Sequence, residues 1–130
     1  MATKFYFCPI CGNVVMKMVD SGVSPSCCGK EMQELSPQTQ EDPNLAESHL
    51  PIVIRVDVYN VKISVGTKLH PALANHHIQF IFLETMHGGR IHYFEPTEEP
   101  CATLCCLGTP IAAYAYCNVH GLWKTDIINL

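Results

Sequence analysis

A chain of 130 residues with 48% hydrophobic side chains can bury one core of ordinary size plus a small appendage, but not two full domains. Its formal charge of −4 and only eight Lys and Arg leave no clustered cations for phosphate binding, which excludes a nucleic-acid partner. No apolar run is long enough to cross a bilayer and "MATKFYFCPICG" lacks the layout of a secretory signal, so a soluble, cytoplasmic protein without a membrane partner is expected.

Eight cysteines without an export signal favour metal ligation over disulfides, and seven histidines add to that expectation. The N-terminal segment carries "CPICG" (Cys8 to Gly12) and "CCGKEM" (Cys27 to Met32), with too few apolar residues around them for an independent core. A module this small usually needs a metal to fold. "C-x-x-C" turns two sulfurs toward one point, and a second close pair completes a tetrahedron around a thiophilic ion. Here the second pair, Cys27 and Cys28, is adjacent, so both reach one ion only through a distorted chelate. Structural zinc and electron-carrying iron both suit four thiolates, and nothing local chooses between them.

"SPQTQEDPNLAES" (Ser36 to Ser48), polar and acidic with two prolines, reads as a linker. From Leu50 onward short apolar runs of period two take over. In "IVIRVDV" Ile52, Ile54, Val56 and Val58 share one face. Further runs are "VKISVG", "HHIQFIFLET", "RIHYFE", "ATLCCLG", "IAAYAYC" and "LWKTDII", with Gly88-Gly89 as a hairpin turn. About seven short strands with no helical periodicity between them predict a mainly β chain whose larger part is an immunoglobulin-like antiparallel β-sandwich.

"YCNVHGLW" (Tyr116 to Trp123) places Cys117 three residues before His120, half of a metal site with no second pair beside it. His49, His70, His76, His77, His87 and His92 are the candidates for its completion. His49, His70 and His76 fall at strand starts or in adjoining loops, and loops at one end of a sandwich can meet in space.

In this order, "C-x-x-C-G", "CCG", "E-x-H-x-P", "H-P" followed by "H-x-I", and "YCNVHG-x-W" resemble the desulfoferrodoxin group of superoxide reductases over nearly the whole chain. "CN-x-HG" is the most specific element. The resemblance implies a desulforedoxin-like iron module over residues 1–36, a linker over 37–48 and a superoxide reductase β-sandwich over 49–130. It implies iron on Cys8, Cys11, Cys27 and Cys28, and a mononuclear non-haem iron with His49, His70, His76 and His120 around it and Cys117 on its axis. His77, His87 and His92 then fall outside the site, as do Cys101, Cys105 and Cys106. It also implies superoxide as substrate, hydrogen peroxide as product without oxygen release, a small electron donor such as rubredoxin, and a homodimer.

Glu47 matches the family glutamate that can cap the open position of the oxidised iron. Ser48 stands where the family usually carries a lysine thought to attract superoxide and assist proton delivery. A serine hydroxyl can order a water but cannot steer an anion, so Lys68, two residues before His70, is the expected partial replacement. The same residues also suit an iron-binding or electron-transfer protein without turnover, or a zinc-ribbon interaction module on a β-sandwich.

Overall fold

The computed structural model describes residues 3–40, 42–128 and 130. The chain divides into two compact units, one ending at Ser36 and one running from Pro37 to Leu130. In the first, β1 (Phe5–Phe7) is flanked by β2 (Val14–Met16), and β3 (Ser26–Cys27) pairs with β4 (Lys30–Glu31) as a separate hairpin. β5 (Gln33–Leu35) closes the other side of β1, and all these pairings are antiparallel. The apolar cluster of this unit is Tyr6, Cys8 and Met32, with Cys27 packed against them. Ordering costs about 1–2 kcal/mol per residue in backbone entropy, so so small a cluster needs further ties. One is Asp20, which holds Lys4 at 2.9 Å and Lys17 at 2.7 Å.

The second unit begins with a helix, α1 (Pro43–His49). Asp42 caps it, its carboxylate accepting from the amides of Asn44 and Leu45, and Pro43 fills a first-turn position where a missing N–H costs nothing. Pro51 ends it by forcing Leu50 into an extended conformation. The stretch 37–48 is therefore not simply a linker, because Gln38 bridges to Trp123 and residues 43–48 are helical. Seven helical residues with only Ala46 and His49 buried carry too little periodicity to show in the sequence.

Seven strands follow: β6 (Pro51–Arg55), β7 (Asn60–Val65), β8 (Ile78–Thr85), β9 (Gly88–Tyr93), β10 (Cys101–Cys105), β11 (Pro110–Cys117) and β12 (Gly121–Asp126). They form two antiparallel sheets, β10-β7-β6 and β12-β11-β8-β9, the expected immunoglobulin-like sandwich. Val61, Ile63 and Val65 of β7 pack with Ile78, Ile81 and Leu83 of β8 and Ala113, Ala115 and Cys117 of β11 in one buried cluster. No helix among the described residues is long and apolar enough to cross a membrane.

Two local expectations change. The apolar face of "IVIRVDV" is largely outward, with Ile54, Val56 and Val58 exposed, while Val53 packs on the core and Arg55 donates to the Cys106 carbonyl at 2.9 Å. Gly88 and Gly89 are not the turn but the first residues of β9, paired with Thr85 and Glu84. A Cβ at Gly89 would collide with the Phe82 ring, so glycine serves close packing there.

Pairing of Pro51 with Val65, and of Cys117 with both Ile78 and Gly121, brings the end of α1, the β7–β8 connection and the β11–β12 turn to one end of the sandwich. The β7–β8 connection is fastened to α1: Gly66 N donates to Leu50 O at 2.9 Å, and Thr67 N to Glu47 O at 2.9 Å. Gly66 has φ +92°, and a Cβ there would lie 2.8 Å from the Ser48 carbonyl oxygen. Gly66→Ala is expected to destabilise the sandwich by about 1–3 kcal/mol, the range for one strained backbone position. A denaturant titration of the metal-free protein reads this, and an unchanged midpoint would contradict the close approach.

Candidate metal centres

The N-terminal site starts from a turn after β1, in which Cys8 N donates to Asn13 O and Gly12 N to Cys8 O, both at 2.9 Å. This presents Cys8 and Cys11 on one side. Cys27 ends β3, and Cys28 and Gly29 form the two-residue turn into β4, with φ +55° and +73°. Two left-handed residues match the right-handed twist of a tight hairpin, which lets adjacent thiols converge. The cost of the adjacent pair is therefore a non-glycine residue in the left-handed region. Sulfur separations are 3.5 Å for Cys11–Cys27 and 3.9 Å for Cys27–Cys28. A tetrahedron of sulfurs about 2.3 Å from an ion has edges of about 3.8 Å, so the cluster fits a tetrahedral metal.

Charge leads to the same conclusion. The Cys11 amide, helped by that of Ile10, brings Cys8 down to about 6. Its neighbours Cys11, Cys27 and Cys8 push Cys28 up to about 12. Only a cation allows all four to be thiolates at once.

At the sandwich end, His49 is the last residue of α1 rather than the start of a strand, and His70 and His76 lie on the β7–β8 connection. Cys117 ends β11, and His120 lies in the turn before β12. Ring centroids are 4.5 Å apart for His49–His70, 4.7 Å for His70–His76, 5.1 Å for His76–His120 and 4.8 Å for His120–His49. The His49–His76 separation is 6.4 Å, as expected for the diagonal of a square with such sides. A ring bound through a nitrogen about 2.1 Å from an ion has its centroid about 3.2 Å away, which is half that diagonal. Nε2 of His49 and Nε2 of His70 lie 3.1 Å apart, the separation of neighbouring corners in such a square. His76 Nε2 is buried without a partner. The four imidazoles thus fit one ion.

Two of the rings are oriented from behind by carbonyls. Nδ1 of His49 meets Leu45 O at 2.7 Å, and Nδ1 of His70 meets Pro71 O at 2.7 Å, so both act as donors and leave Nε2 free to coordinate. Trp123 stacks on His49 at 4.9 Å and donates from Nε1 to His120 O at 3.2 Å. Asn118 accepts from His77 N at 2.9 Å and donates to Asn75 O at 3.0 Å, bracketing His76. Cys117 is fully buried, its sulfur accepting from the amides of Val119 at 3.4 Å and His120 at 3.3 Å. Trp123 and Asn118 stand inside the motif "YCNVHGLW", but neither is a metal ligand, so ligand spacing gives no signal for their positioning role.

A cavity of about 410 Å³ opens onto the rings, lined in part by Glu47, Ser48, His49, Lys68, His76 and His120. Three of the four rings, those of His49, His76 and His120, line it, while the buried Cys117 does not. Lys68 is the cavity's one lysine or arginine among the described residues, and its amide donates to Glu47 O at 3.3 Å. Glu47 is exposed. The Ser48 hydroxyl donates to Leu45 O at 3.3 Å and lies 3.0 Å from His49 Nδ1. His77 is buried with Nδ1 on Leu73 O, and His87 and His92 lie on the β8–β9 hairpin.

The desulfoferrodoxin family model matches residues 41–126. This chain belongs to the desulfoferrodoxin family. It is 33% identical over 125 residues to a desulfoferrodoxin homolog of Archaeoglobus fulgidus, covering 94% of this chain and 95% of that one. A superoxide reductase of Treponema pallidum shares the fold, with a TM-score of 0.79 at 23% identity over 96% of this chain and 98% of that chain. The one-iron superoxide reductase of Giardia intestinalis matches with a TM-score of 0.52 at 29% identity, covering 64% of this chain and 99% of that one. The desulfoferrodoxin relationship and the two donor sets together fit two iron centres, one of four cysteines and one of four histidines with a cysteine. Such relatives place the chain among oxidoreductases.

Burial, ahead of the neighbouring rings, holds His49 and His76 below their usual 6.5 and brings His70 down to about 4. An unfolded chain takes up protons near pH 6.5, while these folded rings resist until lower pH, so the unfolded state binds more protons in between. The metal-free sandwich is therefore expected to lose stability as pH falls from about 6.5 toward about 4. Thermal melts of metal-free protein across that range check the sign. A midpoint that rises on acidification would contradict neutral, buried rings.

Proposed function

We propose that the protein is a superoxide reductase, converting superoxide to hydrogen peroxide with one electron and two protons and without releasing oxygen. The observation that carries this reading is the square of four imidazoles beside a fully buried thiol, with a cavity lined by three of the rings. Iron held there would supply the electron and an accessible coordination position. His49, His70, His76 and His120 would hold it as neutral ligands and Cys117 as the thiolate, so a ferrous site carries one net positive charge. That local charge attracts an anion into a chain whose formal charge is −4.

The remaining residues divide the work around the cavity. Lys68 adds a second positive charge at its lining and can donate a hydrogen bond to an entering anion. The Ser48 hydroxyl, engaged with Leu45 O and His49, orients the ligand ring and carries no steering charge. Glu47, exposed on the cavity lining, would supply a carboxylate cap to a bound iron when no substrate is present. Water in the cavity delivers the protons. The two amides that donate to the Cys117 sulfur would temper how strongly its thiolate donates electron density to a bound iron. A small one-electron carrier of the rubredoxin type restores the reduced state, and the protein works as a homodimer.

Pulse radiolysis of the reduced protein tests the reading. The expected result is one peroxide per superoxide consumed with no oxygen evolved. Iron at both sites without such turnover would leave an iron-binding or electron-transfer protein instead. Lys68→Ala is expected to lower the second-order capture rate about tenfold at low salt and to flatten its ionic-strength dependence, whereas Ser48→Lys raises the rate. Identical rates and salt slopes in all three proteins would remove Lys68 from the mechanism.

A further inference from the structure

Gln38 lies outside the stretch matched by the family model, in a segment whose composition reads as a linker. Its backbone nevertheless extends β12 by one bridge: Gln38 N donates to Leu122 O and Lys124 N donates to Gln38 O, both at 2.9 Å. That bridge directs the side chain onto the β11–β12 turn. Nε2 donates to His120 O at 2.7 Å and sits 3.5 Å from the position a Cβ on Gly121 would take. Gly121 has φ +81°, so the turn itself requires glycine and leaves room for the amide.

We infer that Gln38 is a positioning residue for the sandwich metal centre, holding the ligand turn through the His120 carbonyl. This rests on the reading that His120 and Cys117 bind the iron. Together with Trp123 Nε1, the Gln38 amide gives that carbonyl two donors and fixes the turn from outside. The same turn carries the His120 and Val119 amides that donate to the Cys117 sulfur. Loosening it lengthens those N–H···S contacts, leaves the thiolate richer in electron density, and favours the ferric over the ferrous state. Gln38 thus sets the potential of the centre without touching the metal.

The test compares wild type with Gln38→Ala and Gln38→Glu, each loaded with iron, by redox titration and visible absorption. Gln38→Glu keeps the shape but replaces the donor with a carboxylate facing a carbonyl. Both keep the backbone bridge, so a role confined to fastening the segment leaves the potential where it was. The expected result is a lower potential of the His/Cys centre in both variants, an about tenfold shift in the ferric/ferrous ratio, or about 59 mV. The thiolate charge-transfer band shifts with it, and the four-cysteine centre stays unchanged as internal reference. Unchanged potential and band in both variants overturn the inference, as does an equal shift at both centres. A wild type that binds iron only at the four cysteines fails the underlying reading instead.

Discussion

The ligand end of the larger unit depends on bringing four imidazoles edge to edge, three of which, His49, His70 and His76, burial keeps from taking up protons. The two Nε2 atoms of His49 and His70, 3.1 Å apart, can share one proton at most, and protonating both would set two buried cations side by side. Carbonyls of Leu45 and Pro71 resolve this by taking the Nδ1 protons, so the lone pairs point inward. What remains is a pair of inward acceptors beside the orphaned His76 Nε2, a group that a cation satisfies. The clamp of the Gly66 turn on α1, the Trp123 stack and the Asn118 bracket all preserve that arrangement.

Chemistry was more legible in the sequence than conformation. Cysteine spacing announced the first cluster, and alternating apolar runs announced seven strands, because burial on one sheet face imposes period two. The second cluster was not derivable from spacing, since its ligands come from a helix end, a connection and a turn separated by long stretches of chain; order of motifs and resemblance linked them. Helix α1 stayed hidden because tertiary contacts at Ala46 and His49, not periodicity, define it. The face of β6 was ambiguous for a related reason: apolar Ile54 and Val56 lie outward near a hairpin end, and the core takes Val53. Gln38 carried no signal, as a polar residue in polar sequence has meaning only through the carbonyl it meets.

Position 48 shows how one substitution redistributes roles. A lysine there would extend a charge from the helix end, whereas the serine folds back on its own helix, its hydroxyl engaging Leu45 O and the ring of His49. The cavity's lysine then lies on the β7–β8 connection, where the Lys68 amide donates to Glu47 O and the His70 amide to Val65 O. On the proposed reading, steering and ligand placement share this one short loop, and Gly66 is the residue that lets the loop approach α1.

The two units use metal for different ends. The first has an apolar cluster of a few residues and a strained Cys28, so metal binding is a large part of its folding free energy. The sandwich has its own core of Val, Ile, Leu and Ala across both sheets, and its ligand cluster lies at one end of that core. Its apolar core gives the sandwich a source of stability besides the metal. A donor set held by packing rather than by the ion can keep an accessible position through changes of oxidation state, and this is the physical difference between a metal that staples and a metal that reacts.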